Sequence, residues 1–205
     1  MRLIRWFVWG SLALVGASLV FVSLTLLERR NHRPLPIYAD VTDFHLTNQL
    51  GQAVSLSNLT GRAWVADIIF TRCPGPCLLM SKKMQAIQES VSTNAPVRFV
   101  SLTADPKFDT PPVLKTYGDR FKADPQRWQF LTGPKKDGYD LAIKGLKLAV
   151  QDNAQSTSID DEFVHSTRFV LIDSHGRLRA VSPDGTDASA VPALLRSIRQ
   201  LLKEG

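Results

Sequence analysis

The chain has 205 residues of near-average globular composition, which excludes a collagen-like, disordered or disulfide-dense protein. Its two cysteines allow at most one disulfide, so no disulfide framework can hold the fold. The formal net charge of +6 is carried mainly by residues 1–33, which contain five Arg and one Glu. Residues 34–205 contain 20 Lys and Arg against 18 Asp and Glu. This near balance predicts no nucleic-acid partner.

The first predicted element is a membrane-spanning helix over residues 6–27, which follows a short tail of residues 1–5. The span contains no charged residue, and a helix of its length reaches about 33 Å, enough to cross a hydrocarbon core of about 30 Å. A cleaved signal peptide is the alternative, but its apolar region is shorter and ends in small residues, whereas this run ends in Leu26-Leu27-Glu28. Arginines flank both ends almost equally, so they do not set the orientation.

Residues 28–42 contain two prolines and little periodicity, and they predict a linker. Residues 43–205 predict a domain of alternating strands and helices. In chain order these are a strand over Ala63–Phe70, a helix over Leu78–Val91, a strand over Val97–Thr103, a helix from Thr110 to Phe121, a strand over Trp128–Leu131, a helix over Asp137–Gly145, a hairpin of Arg168–Asp173 with Leu178–Ser182, and a helix over Ala188–Lys203. This order predicts an α/β sandwich with mixed strand direction.

Both cysteines, Cys73 and Cys77, lie where the first strand gives way to a helix. Their spacing places both sulfurs on one face of the starting helix, with Cβ atoms about 5–6 Å apart. Both sulfurs can therefore reach one ion or, after a slight adjustment, form a disulfide. A helix N-terminus lowers the pKa of a thiol, and the thiolate is the form that binds metal and exchanges disulfides. The pair predicts either a metal clamp or a redox dithiol, with two inert buried cysteines as the third interpretation.

A metal clamp needs a third ligand, and histidine is the natural candidate. His32 in the linker, His45 in an early strand-like segment and His175 in the hairpin turn are expected to be solvated. His165 immediately precedes the first strand of the predicted hairpin, 88 residues after Cys77. On its own, each of these histidines is more typical of an ordinary polar residue than of a ligand.

The domain resembles the Sco/SenC family of membrane-anchored, thioredoxin-fold copper proteins. The matching residues are Asp43-Phe44, Gly51, Leu56-Ser57-Asn58-Leu59, Phe70-Thr71-Arg72-Cys73-Pro74, Cys77, Ser101-Leu102, Asp105-Pro106, Asp109-Thr110-Pro111, Trp128, Phe130-Leu131-Thr132-Gly133, His165-Ser166 and Phe169-Val170-Leu171-Ile172-Asp173. The resemblance implies a thioredoxin-like α/β fold with a central mixed sheet flanked by helices. It also implies that Cys73, Cys77 and His165 bind one copper ion and that the cysteine pair can cycle to a disulfide.

Two thiolates and one imidazole suit Cu(I), and Zn fits less well; Cu(II) can be held if a further donor completes its shell. The sequence departs from the family pattern at Val164, where an Asp often precedes the histidine, and at Leu78, where a Pro usually follows the second cysteine. An acidic residue within 160–162 is the candidate to replace the missing carboxylate as a partner for the imidazole.

The resemblance implies a copper chaperone that delivers its metal to cytochrome c oxidase. The alternatives are a thiol–disulfide oxidoreductase that reduces the acceptor's cysteines, and a copper or redox sensor. Thioredoxin-type oxidoreductases place a cis-Pro before a late strand, whereas this chain has no Pro between Lys136 and Pro183, which favours metal binding. The resemblance also implies a domain on the extracytoplasmic side of the membrane. No Arg-rich, acid-poor amphipathic transit peptide precedes the span, which favours a bacterial plasma membrane over a mitochondrial one. The sequence leaves the oligomeric state open.

Overall fold

The structure is a computed structural model, and it describes residues 9, 14–23, 34–158 and 162–204. It divides into two compact units, Met1–Pro34 and Leu35–Gly205. In the first unit, residues 14–23 form a helix, α1. Among the described residues, no helix has both the length and the apolar character needed to cross a membrane. The predicted span over residues 6–27 lies largely outside the described residues.

The second unit contains ten strands and five further helices within its described residues. The strands are β1 (Ala39–Asp40), β2 (Leu46–Asn48), β3 (Ala53–Val54), β4 (Ala63–Ile69), β5 (Val97–Thr103), β6 (Trp128–Thr132), β7 (Val150–Asp152), β8 (Phe163–His165), β9 (Arg168–Ile172) and β10 (Arg177–Asp184). The helices are α2 (Leu56–Leu59), α3 (Pro76–Ser90), α4 (Pro111–Arg120), α5 (Lys135–Asp140) and α6 (Ala190–Leu201).

Eight strands form one mixed sheet in the order β1-β10-β9-β4-β5-β6-β2-β3. The pairs β4–β5 and β5–β6 are parallel, and the other pairs are antiparallel. Every residue of β4 is buried, as expected for a central strand whose two faces are both covered. The predicted mixed sheet is confirmed, and β4 delivers the chain to the first cysteine.

The helix predicted over Asp137–Gly145 is interrupted. Regular α-helix, α5, begins earlier and ends at Asp140, and Leu141–Gly145 then forms a π turn. In this wider turn the Leu146 N–H donates to the Leu141 carbonyl, five residues back. The sequence pattern does not reveal such a turn, because its apolar residues keep a helical spacing.

Residues 35–42 of the predicted linker are part of the second unit, where several of them are held by backbone and side-chain hydrogen bonds. β1 pairs antiparallel with β10, and the Tyr38 N–H donates to the Leu178 carbonyl at 2.9 Å. The buried guanidinium of Arg179 donates to the Leu35 carbonyl at 2.6 Å. These residues extend the sheet edge, which composition alone does not predict.

Candidate metal centre

The two cysteines lie in the connection from β4 to α3. Cys73 is in the loop, and Cys77 is the second residue of α3, which begins at Pro76. Proline fits the first helical position because its missing N–H would have no partner there. Both thiols are free and both residues are buried, Cys77 completely.

A buried carboxyl fixes the start of this loop. Asp109 accepts hydrogen bonds from the Thr71 N–H at 3.1 Å, from the Thr71 hydroxyl at 2.5 Å and from the Thr103 hydroxyl at 2.5 Å. Burial raises the pKa of Asp109, and the bonds from the two threonines oppose that shift. The bonds join the loop to the end of β5, so the cysteine segment is held on the sheet.

The structure brings His165 to the cysteine pair. His165 ends β8, and its Nε2 lies 3.3 Å from the Cys77 Sγ. Its Nδ1 lies 3.1 Å from the Ser166 carbonyl oxygen. A carbonyl can only accept a hydrogen bond, so Nδ1 carries the proton and Nε2 presents its lone pair to the sulfur. Phe70 packs edge-on against the imidazole, with the ring centroids 5.7 Å apart.

The two thiols differ in their acidity. A hydrogen bond from Cys77 has the largest influence on the pKa of Cys73 and lowers it to about 4, while burial opposes this effect. The same bond to Cys73, together with burial, raises the pKa of Cys77. Cys73 is therefore the more acidic thiol of the pair and the first to form a thiolate.

Replacing Cys77 with Ala is expected to raise the pKa of Cys73, because the thiolate loses its principal hydrogen-bond donor. The ultraviolet absorbance of the thiolate, followed against pH in the reduced metal-free protein, measures the shift. In the wild type the absorbance should persist down to about pH 4, whereas in the variant its midpoint should lie nearer the ordinary thiol value of about 8.5. An unchanged midpoint would show that Cys77 does not stabilise the thiolate.

A carboxyl group that the sequence analysis did not single out lies beneath the site. Asp67 in β4 is fully buried, and its Oδ1 accepts a hydrogen bond from the Ser101 hydroxyl at 2.6 Å. Its Oδ2 has no hydrogen-bond partner in the described part of the chain. Burial raises the pKa of Asp67 to about 7, although Ser101 and the nearby His165 lower it. The available signal was a single acidic residue inside an otherwise apolar central strand.

The remaining histidines lie away from the cysteines or outside the described residues. His45 and His175 are exposed, as predicted, and His32 lies outside the described residues. Of the acidic candidates to partner the imidazole, Glu162 pairs with Arg72 instead, while residues 160 and 161 lie outside the described residues and stay a prediction. Within the described residues, the Nδ1 of the imidazole contacts the backbone carbonyl of Ser166.

Of the three proposed donor atoms, the Cys77 Sγ and the His165 Nε2 lie within hydrogen-bonding distance of one another, at 3.3 Å. A metal ion bound to sulfur at about 2.3 Å and to nitrogen at about 2.0–2.1 Å requires its ligand atoms to lie within a few ångströms of one another. As the side chains stand, the described residues include no group of three or more His, Cys, Asp or Glu spaced to hold a metal ion. The chemistry of the donor set, two sulfurs and one imidazole nitrogen, suits a soft metal ion.

The chain is similar in sequence to proteins of one known family. The model of the SCO1/SenC family matches residues 37–201. The SCO1 protein homolog of Bacillus subtilis (strain 168) is 32% identical over 164 residues, which cover 79% of this chain and 82% of the relative. A protein of Stutzerimonas stutzeri that is named for copper binding is 31% identical over 171 residues, covering 82% of this chain and 81% of that protein.

A solved structure gives the same result for the fold. BsSco is described as a member of the Sco family of cytochrome c oxidase assembly proteins in which a disulfide switch was identified. It matches with a TM-score of 0.71 and 26% identity, over 84% of this chain and 100% of that chain. The predicted thioredoxin-like α/β fold with a central mixed sheet is confirmed.

Proposed function

This chain belongs to the SCO1/SenC family, and on that premise we propose that it is a copper-binding chaperone. It holds one copper ion through Cys73, Cys77 and His165 and delivers the ion to a copper centre of a respiratory oxidase. The observation that carries the proposal is the 3.3 Å separation of the Cys77 Sγ and the His165 Nε2, two atoms 88 residues apart in the chain.

The donor set favours Cu(I) as the working state. Thiolates are soft ligands that select Cu(I), while the imidazole and an added donor can also accommodate Cu(II). The Ser166 carbonyl fixes the proton on Nδ1, so Nε2 is ready to bind without losing a proton. Cys77 must release its proton when copper binds, and its raised pKa makes loading dependent on pH.

The proposal predicts that the reduced full-length chain, purified without air and supplied with Cu(I), retains one copper ion per chain. After oxidation to the Cys73–Cys77 disulfide the same protein should retain none, because both thiolate ligands are consumed. Metal analysis after desalting measures both quantities. Retention of copper by the disulfide form at the same stoichiometry would refute a site built on the two sulfurs.

A second candidate, thiol–disulfide exchange, is favoured by the unequal acidity of the pair. The Cys73 thiolate would attack one sulfur of an acceptor disulfide and release the other sulfur as a thiolate. Cys77, after losing its proton, would then attack the mixed disulfide, so that the acceptor leaves as a dithiol and this chain is oxidised. A Cys77→Ser variant that traps the mixed disulfide with a cysteine-paired acceptor supports this function; absence of the trapped species argues against it.

The membrane anchor completes the proposal. Residues 6–27 span a bacterial plasma membrane, residues 28–42 include the connection, and residues 43–205 form the copper domain on the extracytoplasmic side. The uncharged run within the first of these segments supports the span, and the family relationship supports the side. Protease added to intact spheroplasts should degrade the domain; protection of the domain would place it in the cytoplasm.

A further inference from the structure

Arg72 lies between the two segments that carry the proposed ligands. It immediately precedes Cys73, and one guanidinium nitrogen, Nη2, donates to the Asp105 Oδ2 at 2.6 Å and to the Glu162 Oε2 at 2.8 Å. Its guanidinium also lies 4.5 Å from the centre of the Phe108 ring. A single side chain beside the first cysteine therefore contacts the segment that leads to His165.

The histidine-bearing hairpin needs such contacts, because β7 and β8 form a separate two-stranded sheet outside the main sheet. Each of its strands has only three residues. Phe163 packs on Phe70 at 5.2 Å between ring centroids, and Lys135 reaches Asp152 at 2.5 Å. Short hairpins are only marginally stable alone, so side-chain contacts with the rest of the domain set the position of His165.

The two carboxylates that bind Arg72 differ in their surroundings. The Asp105 side chain is 7% exposed, and its Oδ1 accepts a hydrogen bond from the Phe108 N–H at 3.2 Å, so it is a fixed anchor. The Glu162 side chain is 38% exposed and lies three residues before His165 on the hairpin. Asp105 thus orients the guanidinium, and the ion pair between Arg72 and Glu162 attaches the hairpin to the loop of Cys73.

The geometry points to Arg72 as a positioning residue of the metal centre: by bridging Asp105 and Glu162 it holds the β7–β8 hairpin where His165 meets the cysteine pair. This inference rests on the proposed function. Arg72 is not one of the proposed ligands, and it affects copper binding only by setting the position of the His165 imidazole. A partly exposed ion pair adds little to global stability, so its loss should move the hairpin without unfolding the domain.

The test uses the full chain in detergent micelles with Glu162→Gln, which removes the charged arm and keeps the Arg72–Asp105 contact. The control is Asp119→Asn, which removes a carboxylate from an exposed ion pair with Lys115 on α4. In the reduced metal-free protein, amide hydrogen exchange over residues 150–166 should become severalfold faster in Glu162→Gln. Exchange in the control should match the wild type.

Copper affinity gives the second measurement, by competition with a Cu(I) chelator. Glu162→Gln should weaken Cu(I) binding about tenfold, at the low end of the effect of residues that orient ligands. In a His165→Ala background the same change should have no effect, since there is no imidazole left to position. Arg72→Met should weaken binding at least as much, and its effect should not add to that of Glu162→Gln.

Unchanged exchange in Glu162→Gln would overturn the inference, whatever the copper result. An equal loss of affinity with and without His165 would also overturn it, because the ion pair would then act by another route. Failure of the wild type to bind copper would refute the proposed function, while the exchange experiment would still decide whether Arg72 positions the hairpin.

Discussion

Replacing His165 with Ala is expected to weaken Cu(I) binding roughly hundredfold. Loss of a residue that only orients a ligand weakens metal binding by up to about a hundredfold, and loss of a ligand itself should cost at least as much. Binding of Cu(II) should fall by a larger factor. The two thiolates that remain are the ligands Cu(I) prefers, whereas Cu(II) depends more on nitrogen and oxygen donors. The reason for expecting so large an effect is the direct approach of the His165 Nε2 to the Cys77 Sγ at 3.3 Å.

X-ray absorption of the copper-loaded proteins reads the ligand set directly. The wild type should show two sulfur ligands and one nitrogen ligand per copper, and His165→Ala should show the sulfurs alone or with an oxygen donor. His45→Ala is the matched control, because its side chain is 83% exposed and lies outside the site. If the variant keeps both the wild-type spectrum and the wild-type affinity, the three-ligand site is wrong.

Replacing Asp67 with Asn is expected to stabilise the folded protein relative to the wild type progressively as the pH rises from about 4 to 7. In the unfolded chain an Asp loses its proton near pH 3.9, whereas burial raises the pKa of Asp67 in the folded protein to about 7. Between these values the unfolded state binds fewer protons, so the stability of the wild type falls with increasing pH. The accumulated difference reaches about 4 kcal/mol above pH 7.

Denaturant unfolding of the reduced metal-free proteins at several pH values measures this difference. Asp67 Oδ2 has no hydrogen-bond partner within the described residues, and neither does the amide group that replaces it. We therefore expect a constant difference between the two free energies of unfolding at every pH. The prediction concerns the change of this difference with pH. Asp119→Asn, which changes a carboxyl that is 63% exposed, should show no such slope. A flat difference between wild type and Asp67→Asn would mean that Asp67 is not held in its neutral form by burial.

The central strands and the longer helices could be predicted because their local pattern agrees with their tertiary place. β4 and β5 are largely apolar runs whose residues are all buried apart from Arg98, and Pro111 marks the start of α4. β7 and β8 could not be predicted. Their three-residue strands carry little pattern of their own and are held by contacts such as Phe70 with Phe163.

The site could be predicted only in part. The order of the predicted elements placed Cys73 and Cys77 at the strand–helix junction, where the structure has them. The prediction that both lie on one helix face is wrong, because α3 begins only at Pro76 and Cys73 lies in the loop before it. His165 could be selected among four histidines only through a family resemblance, because a separation of 88 residues carries no local signal. The roles of Asp67 and Arg72 depend on burial and on a contact across 90 residues, which no periodicity in the sequence encodes.

The position of β9 in the sheet determines when the His165 imidazole can reach the cysteine pair during folding. β9 pairs with β4, placing Ile172 opposite Trp64, and the imidazole that precedes β9 can approach the sulfurs only once this late strand has docked. A partly folded copy would offer the two thiols without the nitrogen. Under the proposed ligand set, a chain in which β9 has not docked therefore has only the two sulfur ligands, and we expect it to hold copper more weakly than the folded domain.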